Sequence, residues 1–282
     1  MTNVKILVCC HKKDVVVTQT PYFPIHVGKA LSKVNLGIPG DNTGNNISFK
    51  NSSYCELTGM YWAWQNLMDA DVIGLCHYRR YFDFHNQCHQ LFPTTEFPVS
   101  HFENMDFSVP EEIIVKVQNG SVVVPKHLTT FPLYIQYNNL HYSDDLRLLG
   151  NVIRNCSDEK MYNAYIETIF KNNKIHPFNM FIMNRTMYND YCSWLFSILE
   201  EVEKQLDISH YSDYQKRVFG FMAERLFNVF IKKCGISKME LPVISFSGMK
   251  QYNFVGSIPK FYLRNIALNS INFLAKNRIF VE

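Results

Sequence analysis

The chain has 282 residues, of which 47% are hydrophobic and 15% aromatic. That is enough apolar material to fill a core without disulfide or metal staples, and it excludes a disordered chain. Twenty-eight basic residues against 25 acidic ones leave a net charge of +3, too mild for a nucleic-acid partner held by bulk charge, so any basic function must be local.

The first element is an apolar, β-branched strand at residues 4–10, stopped by His11, Lys12 and Lys13. The apolar run is short and is followed at once by charge, so it is too short for a secretory signal and reads better as a first strand. No apolar run approaches the ~20 residues that a membrane-spanning helix needs. The eight cysteines, Cys9, Cys10, Cys55, Cys76, Cys88, Cys156, Cys192 and Cys234, form no CxxC pair and no regular framework. They read as reduced thiols packed as small hydrophobes, which places the protein in the cytoplasm.

Residues 37–48, GIPGDNTGNNIS, are loop chemistry. Residues 51–69 then predict a helix with Leu57, Tyr61, Trp64 and Met68 on one face, and Ser53 with Glu56 matches a capping box. A second buried strand at 72–76 runs into GLCHYRRYF, residues 74–82. Strand, helix, strand is the grammar of a parallel sheet, whose ligands sit at the carboxyl ends of the strands. Both His11–Lys13 and His77–Arg80 fall at that edge.

Residues 87–110, rich in His, Phe, Pro and Asn, look like an irregular excursion or lid. Strands are expected at 121–125 and 180–183, and helices at 142–155, 159–171, 188–206 and 215–232. The segment after Tyr252 carries Lys260, Arg264, Lys276 and Arg278 among apolar residues and has no acid between Lys260 and Val281. It reads either as a peripheral contact with an anionic membrane or as a helix packed on the body with a solvated basic face.

Arg79 and Arg80 carry the central question. On a continuing strand one points into the cleft and the other packs onto a carboxylate; if the chain has turned, both can reach one anion. Guanidinium forks match phosphate oxygens, so the pair reads as a diphosphate clamp, or else as an Arg–Asp pair beside a surface arginine. In HPFNMFIMN, His176 and Asn179 stand at a strand entrance, where they can bind sugar hydroxyls or serve a turn. On the helix starting near Tyr214, Arg217, Glu224 and Arg225 lie on neighbouring positions. Glu224 and Asp213 are carboxylates that could take a proton from an attacking hydroxyl, or Glu224 could simply pair with an arginine.

The blocks NISFKNSSYCELTGMYWAWQN, VIGLCHYRRYF, HPFNMFIMN, YCSWLF and RVFGFMAERL together resemble a bacterial glycosyltransferase-like family of capsular and exopolysaccharide biosynthesis loci. Many of its members contain a domain of unknown function. The resemblance covers about residues 5–230. It implies an α/β fold of the GT-A-like type, with a mixed, mainly parallel sheet flanked by helices and a helical C-terminal part. It also implies a single domain: a nucleotide-sugar half over 1–125, an acceptor and catalytic half over 126–250, and a basic-apolar tail over 251–282. The implied reaction moves a sugar, galactose (pyranose or furanose) or glucose, from a UDP-sugar. The acceptor is a growing capsular, exopolysaccharide or lipopolysaccharide glycan, or a lipid-linked oligosaccharide at the inner membrane.

Most GT-A enzymes hold a metal with an Asp-x-Asp motif where this chain has His77-Tyr78-Arg79-Arg80. The one such triplet here, Asp69-Ala70-Asp71, lies at the amino end of the strand. Arginine is therefore expected to replace metal, with no cofactor required. The alternative keeps Mn²⁺ or Mg²⁺ on Asp83 with His77 or His85. Donor contacts are expected from Cys10, His11, Lys12, Asn51, Tyr54, Glu56, His77, Tyr78 and Asp83, with Glu56 also readable as a capping residue. Other classes are a noncatalytic nucleotide- or sugar-binding module and a metal-dependent nucleotidyl or phosphoryl transferase. The latter lacks a visible metal cluster and a Walker-type loop.

Overall fold

The computed structural model describes residues 2–246 and 258–275; Lys276 and Arg278 lie outside the described residues. In chain order the elements are β1 (Val4–Cys10), β2 (Tyr22–His26), α1 (Asn51–Tyr54), α2 (Leu57–Asn66), β3 (Val72–His77), β4 (Arg80–Phe82), β5 (Thr94–Glu96), α3 (Glu111–Gln118), β6 (Val122–Pro125) and β7 (Leu128–Thr129). There follow α4 (Leu133–Asn138), α5 (Ser143–Cys156), α6 (Glu159–Ile169), β8 (Lys174–Ile175), β9 (Phe181–Asn184), α7 (Arg185–Glu203), α8 (Val218–Lys233), β10 (Lys238–Leu241), β11 (Val243–Ser245) and α9 (Ile258–Ala275). They group into two compact units: Met1–Lys126 with Phe178–Ser193 and Ile236–Gln251, and His127–Pro177 with Trp194–Gly235 and Tyr252–Glu282.

The first unit holds a mixed nine-stranded sheet. β1 runs parallel to β3, from Val4 opposite Val72 to Cys9 opposite His77, and parallel to β2 on its other side. β9 lies antiparallel on the far edge of β3, followed by β6 and β10. Continuous apolar runs such as Ile6–Cys10 and Val72–Cys76 are buried throughout, as central strands require. A Cβ on Gly74 would come within 3.0 Å of both Ile6 and Ile182, its neighbours on the two flanking strands. Glycine there leaves room for the two isoleucines.

Two expectations change in this unit and one strand is added. The helix expected over 51–69 is broken at Cys55, whose φ is +53°, so Glu56 does not form a capping box. Strand β2 lies where no element is expected from the sequence, and it forms because Tyr22 and Ile25 bury beside β1. The 87–110 segment is no lid. It contributes β5 as a sheet strand and buries Phe97 and Phe107 in an aromatic cluster with Tyr81 and Phe246. Asp83 anchors that segment: its buried carboxylate accepts from the backbone N–H groups of His85, Gln87 and Cys88.

The second unit is helical, with α4, α5, α6, α8, α9 and the later part of α7, plus a two-residue ladder of β7 and β8. Asp158 caps α6 by accepting from Met161 N–H at 2.7 Å. α8 buries Phe219, Met222, Leu226, Phe227 and Val229, as its spacing predicts. Asn228 on α8 grips the backbone of His176 twice, accepting from its N–H at 2.9 Å and donating to its carbonyl at 3.1 Å.

At the end of β2, His26 is fully buried and neither ring nitrogen has a hydrogen-bond partner among the described residues. Burial, with Lys29 nearby, pushes its pKa below the ordinary 6.5, so the folded state keeps it neutral while the unfolded chain protonates first. Stability is therefore full above about pH 6.5 and falls on acidification below it. Urea midpoints measured across that range should decline, and His26→Phe should flatten part of the slope; His141, shifted the same way by burial, supplies another part.

Candidate functional site

The sequence places its unusual residues where β3 leaves the core. His77 ends β3, Tyr78 and Arg79 make the turn, and Arg80 begins β4, so His77 and Arg80 face each other across a tight hairpin. The turn decides between the two geometries open to the arginines. Arg79 turns to Asp14, donating through Nε at 2.8 Å and lying 2.7 Å away through Nη2. Arg80 has no ion pair among the described residues; its guanidinium lies 4.6 Å from the ring centre of Phe178.

Around Tyr78 the field is positive. Lys12 Nζ is 5.8 Å and the Arg79 guanidinium 5.4 Å from its ring centre, and the His11 ring meets it edge-on at 5.1 Å. Cations over an aromatic face are attracted by its quadrupole. Lys12, Arg79 and Arg80 thus surround one edge of the sheet with Asp14 as the paired acid.

Phe178 and Asn179 adopt φ of +74° and +52°, conformations that cost energy for residues other than glycine. Side chains hold them there. The His77 Nε2 group lies 2.6 Å from the Phe178 carbonyl, and since a carbonyl only accepts, Nε2 carries the proton. Asn179 Nδ2 donates to Glu56 Oε1 at 2.7 Å. Glu56, relieved of a capping role, therefore joins His77, Arg80, Phe178 and Asn179 in one cluster at the carboxyl end of β3.

Other expected donor contacts have structural duties. Cys10 is a core residue: its thiol donates to the Val8 carbonyl at 3.3 Å, and burial pushes its pKa up to about 12. Asn51 donates to the Cys55 carbonyl at 2.7 Å and to Thr58, tying α1 to α2. Tyr54 is buried, with Lys50 Nζ 5.5 Å from its ring centre. Asp83 lies beyond β4 with its oxygens occupied by the backbone donors named above and by Gln90. His85 lies 2.8 Å from the Ser108 carbonyl. Among the described residues no three His, Cys, Asp or Glu side chains gather as metal ligands. An open depression of about 560 Å³, lined by Thr2, Asp71, Asn184 and Arg185, lies at the amino end of β3 and contains none of the expected site residues.

In the second unit, Arg225 is an internal brace. Nη1 donates to Glu224 Oε2 at 2.7 Å and to the Phe221 carbonyl at 3.1 Å, Nη2 donates to Gln136 Oε1 at 2.6 Å, and the guanidinium lies 5.1 Å from the Tyr137 ring centre. Glu224 keeps 22% of its side chain exposed while Arg225 orients it. Asp213 is fully exposed, 3.6 Å from Lys216, and has no fixed environment. Arg217 is exposed over Tyr214 and Phe221. His176 is buried beside His127, and its backbone is gripped by Asn228. It belongs to this unit and Asn179 to the first, so the short motif that joins them in sequence divides between the units.

Sequence reasoning missed Asp14, Phe178 and Asp145. Asp14 follows the basic run at once and could have been flagged as its counter-ion. A left-handed Phe has no sequence signal. Buried Asp145 accepts from Tyr211 at 2.6 Å and Tyr137 at 3.2 Å, and its burial raises its pKa.

A family model described as a domain of unknown function, DUF4422, matches residues 5–235. The chain belongs to the DUF4422 family. Among solved structures, this DUF4422 protein is similar to a bifunctional glycosyltransferase, WbbM, in its ligand-free form, with 31% identity and a TM-score of 0.79. The match covers 87% of this chain and 46% of that one, so the chain spans about half the length of the glycosyltransferase it resembles. The fold is a mixed α/β glycosyltransferase fold. No protein of curated function matches the chain.

The two arginine environments predict opposite costs. Arg225→Ala strands Glu224 and Gln136 in a largely buried network and should lose about 3 kcal/mol or more. Arg80→Ala removes a partly exposed side chain that has no ion pair among the described residues, and should stay within about 0.5 kcal/mol. Urea denaturation of both variants tests the contrast; equal losses would mean that Arg80 is also a structural brace.

Proposed function

We propose that this chain is a glycosyltransferase that moves a hexose, galactose in pyranose or furanose form or glucose, from a UDP-sugar onto a growing surface glycan. The glycan is capsular, exopolysaccharide or lipopolysaccharide in kind. The observation that carries the reading is Arg80, a guanidinium without a carboxylate partner among the described residues, held on Phe178 at the carboxyl end of β3. Membership of DUF4422 and similarity to a bifunctional glycosyltransferase support it.

In this reading Arg80 donates to the leaving diphosphate. Arg79, fixed by Asp14, and Lys12 add positive field, while His77 and Tyr78 line the donor. Oriented cations in a partly desolvated site stabilise charge that develops in the transition state. The acceptor hydroxyl attacks the anomeric carbon as the bond from that carbon to the diphosphate oxygen breaks. UDP leaves with the electron pair, and the hydroxyl proton passes to a carboxylate. Glu224 is the better candidate for that base because Arg225 fixes its direction, whereas Asp213 is a solvated surface group.

A thermal-shift series with UDP, GDP and CMP, with manganese or with chelator, tests the donor site. UDP is expected to stabilise the protein with chelator present, and Arg80→Ala to weaken UDP by about ten- to a hundredfold, the value of a charge-assisted hydrogen bond. Glu224→Gln is expected to lower kcat by about a hundredfold or more with UDP affinity unchanged. A UDP shift that vanishes with chelator and survives Arg80→Ala would replace the arginine by a metal. UDP binding without turnover, with any acceptor glycan, would leave a binding module.

A further inference from the structure

Helix α9, Ile258–Ala275, is held to its own unit along one side. Leu268 is buried, Asn173 Nδ2 donates to Asn269 Oδ1 at 3.0 Å, and Asn272 Nδ2 reaches the Lys171 carbonyl at 3.4 Å. At 3.6 residues per turn, Tyr262, Leu263, Ile266, Phe273 and Leu274 fall on another face, an arc of about 120°. Each of these five is more than half exposed. Five large apolar side chains exposed on one face of a helix form a patch, not scattered exposure.

The charges on α9 itself have one sign. Lys260 and Arg264 are exposed along one border of the stripe, and α9 contains no acid. Exposed Lys174 begins β8 directly after Asn173, which meets the other border, and it has no ion pair among the described residues. A second copy packed face to face would set these cations against their own counterparts without a carboxylate from either helix. The helix does not cross a bilayer: no described helix is long and apolar enough. An apolar stripe bordered by cations and anchored from behind has the form of a helix lying in the interface of an anionic membrane, with its cations at the headgroups.

We propose that α9 is a membrane-docking face that seats this protein on an anionic lipid bilayer, parallel to its surface. The inference stands apart from the sugar-transfer reading, since it uses none of the site residues.

Co-sedimentation of the full chain with vesicles tests it, comparing phosphatidylcholine mixed with phosphatidylglycerol against pure phosphatidylcholine. Binding is expected on the mixed vesicles, at least about tenfold weaker on neutral ones and weakened by salt. Ile266→Glu and Phe273→Glu should each reduce it by about tenfold or more, and Lys260→Ala or Arg264→Ala by about fivefold on anionic vesicles only. Circular dichroism and the UDP thermal shift of the same variants should match the parent, which separates a lost docking face from a lost fold or a failed donor site. Unchanged vesicle binding in Ile266→Glu and Phe273→Glu would overturn the proposal. So would absence of binding, whether the protein stays monomeric or forms dimers that Ile266→Glu dissolves; the dimers would assign the stripe to a second copy.

Discussion

The hydrogen bond from His77 to the carbonyl of Phe178 is the constraint on which the candidate site depends. It joins the end of a buried central strand to two successive residues held in left-handed conformations. Left-handed backbone is unfavourable for Phe and persists only where its surroundings over-determine it. Here the His77 bond fixes the carbonyl, the Asn179 bond to Glu56 fixes the next residue, and the Phe178 ring is left beneath Arg80. The ring supports the guanidinium without neutralising it.

Three arginines show how environment sets the work that a guanidinium can do. Arg225 is buried and spends its donors on Glu224, Gln136 and a backbone carbonyl, which makes it a brace. Arg79 is partly exposed and paired with Asp14, so it lends field but little spare hydrogen-bonding capacity. Arg80 has no carboxylate partner among the described residues. An anion arriving at Arg80 gains a charge-assisted contact and breaks no ion pair among the described residues. Residue type alone cannot rank these three; the ranking follows from where the nearest carboxylate lies.

The relation to known proteins supports the fold more firmly than the chemistry. A chain that aligns over 87% of its length with one part of a bifunctional glycosyltransferase shares that part's architecture. Reaction, donor and acceptor still have to be read from side chains, because function resides in sites built on folds and not in the folds themselves. The cluster at the end of β3 contains the residues on which that reading turns.

Much of the first unit was legible without coordinates. The strands at 4–10, 72–76 and 180–183, and in the second unit the spacing of α8, are local patterns, and burial of continuous apolar runs leaves them few alternatives. The abrupt arrival of His77, Tyr78, Arg79 and Arg80 at the end of such a run marked the site for the same reason. Tertiary structure decided everything that depends on distant partners. The hairpin turn separated Arg79 from Arg80, Asn179 took Glu56 out of its expected cap across 123 positions, and an aromatic cluster turned an expected lid into core. Sequence determines which side chains are costly to leave unpaired. Only the fold decides which of them find partners, because those partners approach through space and not along the chain.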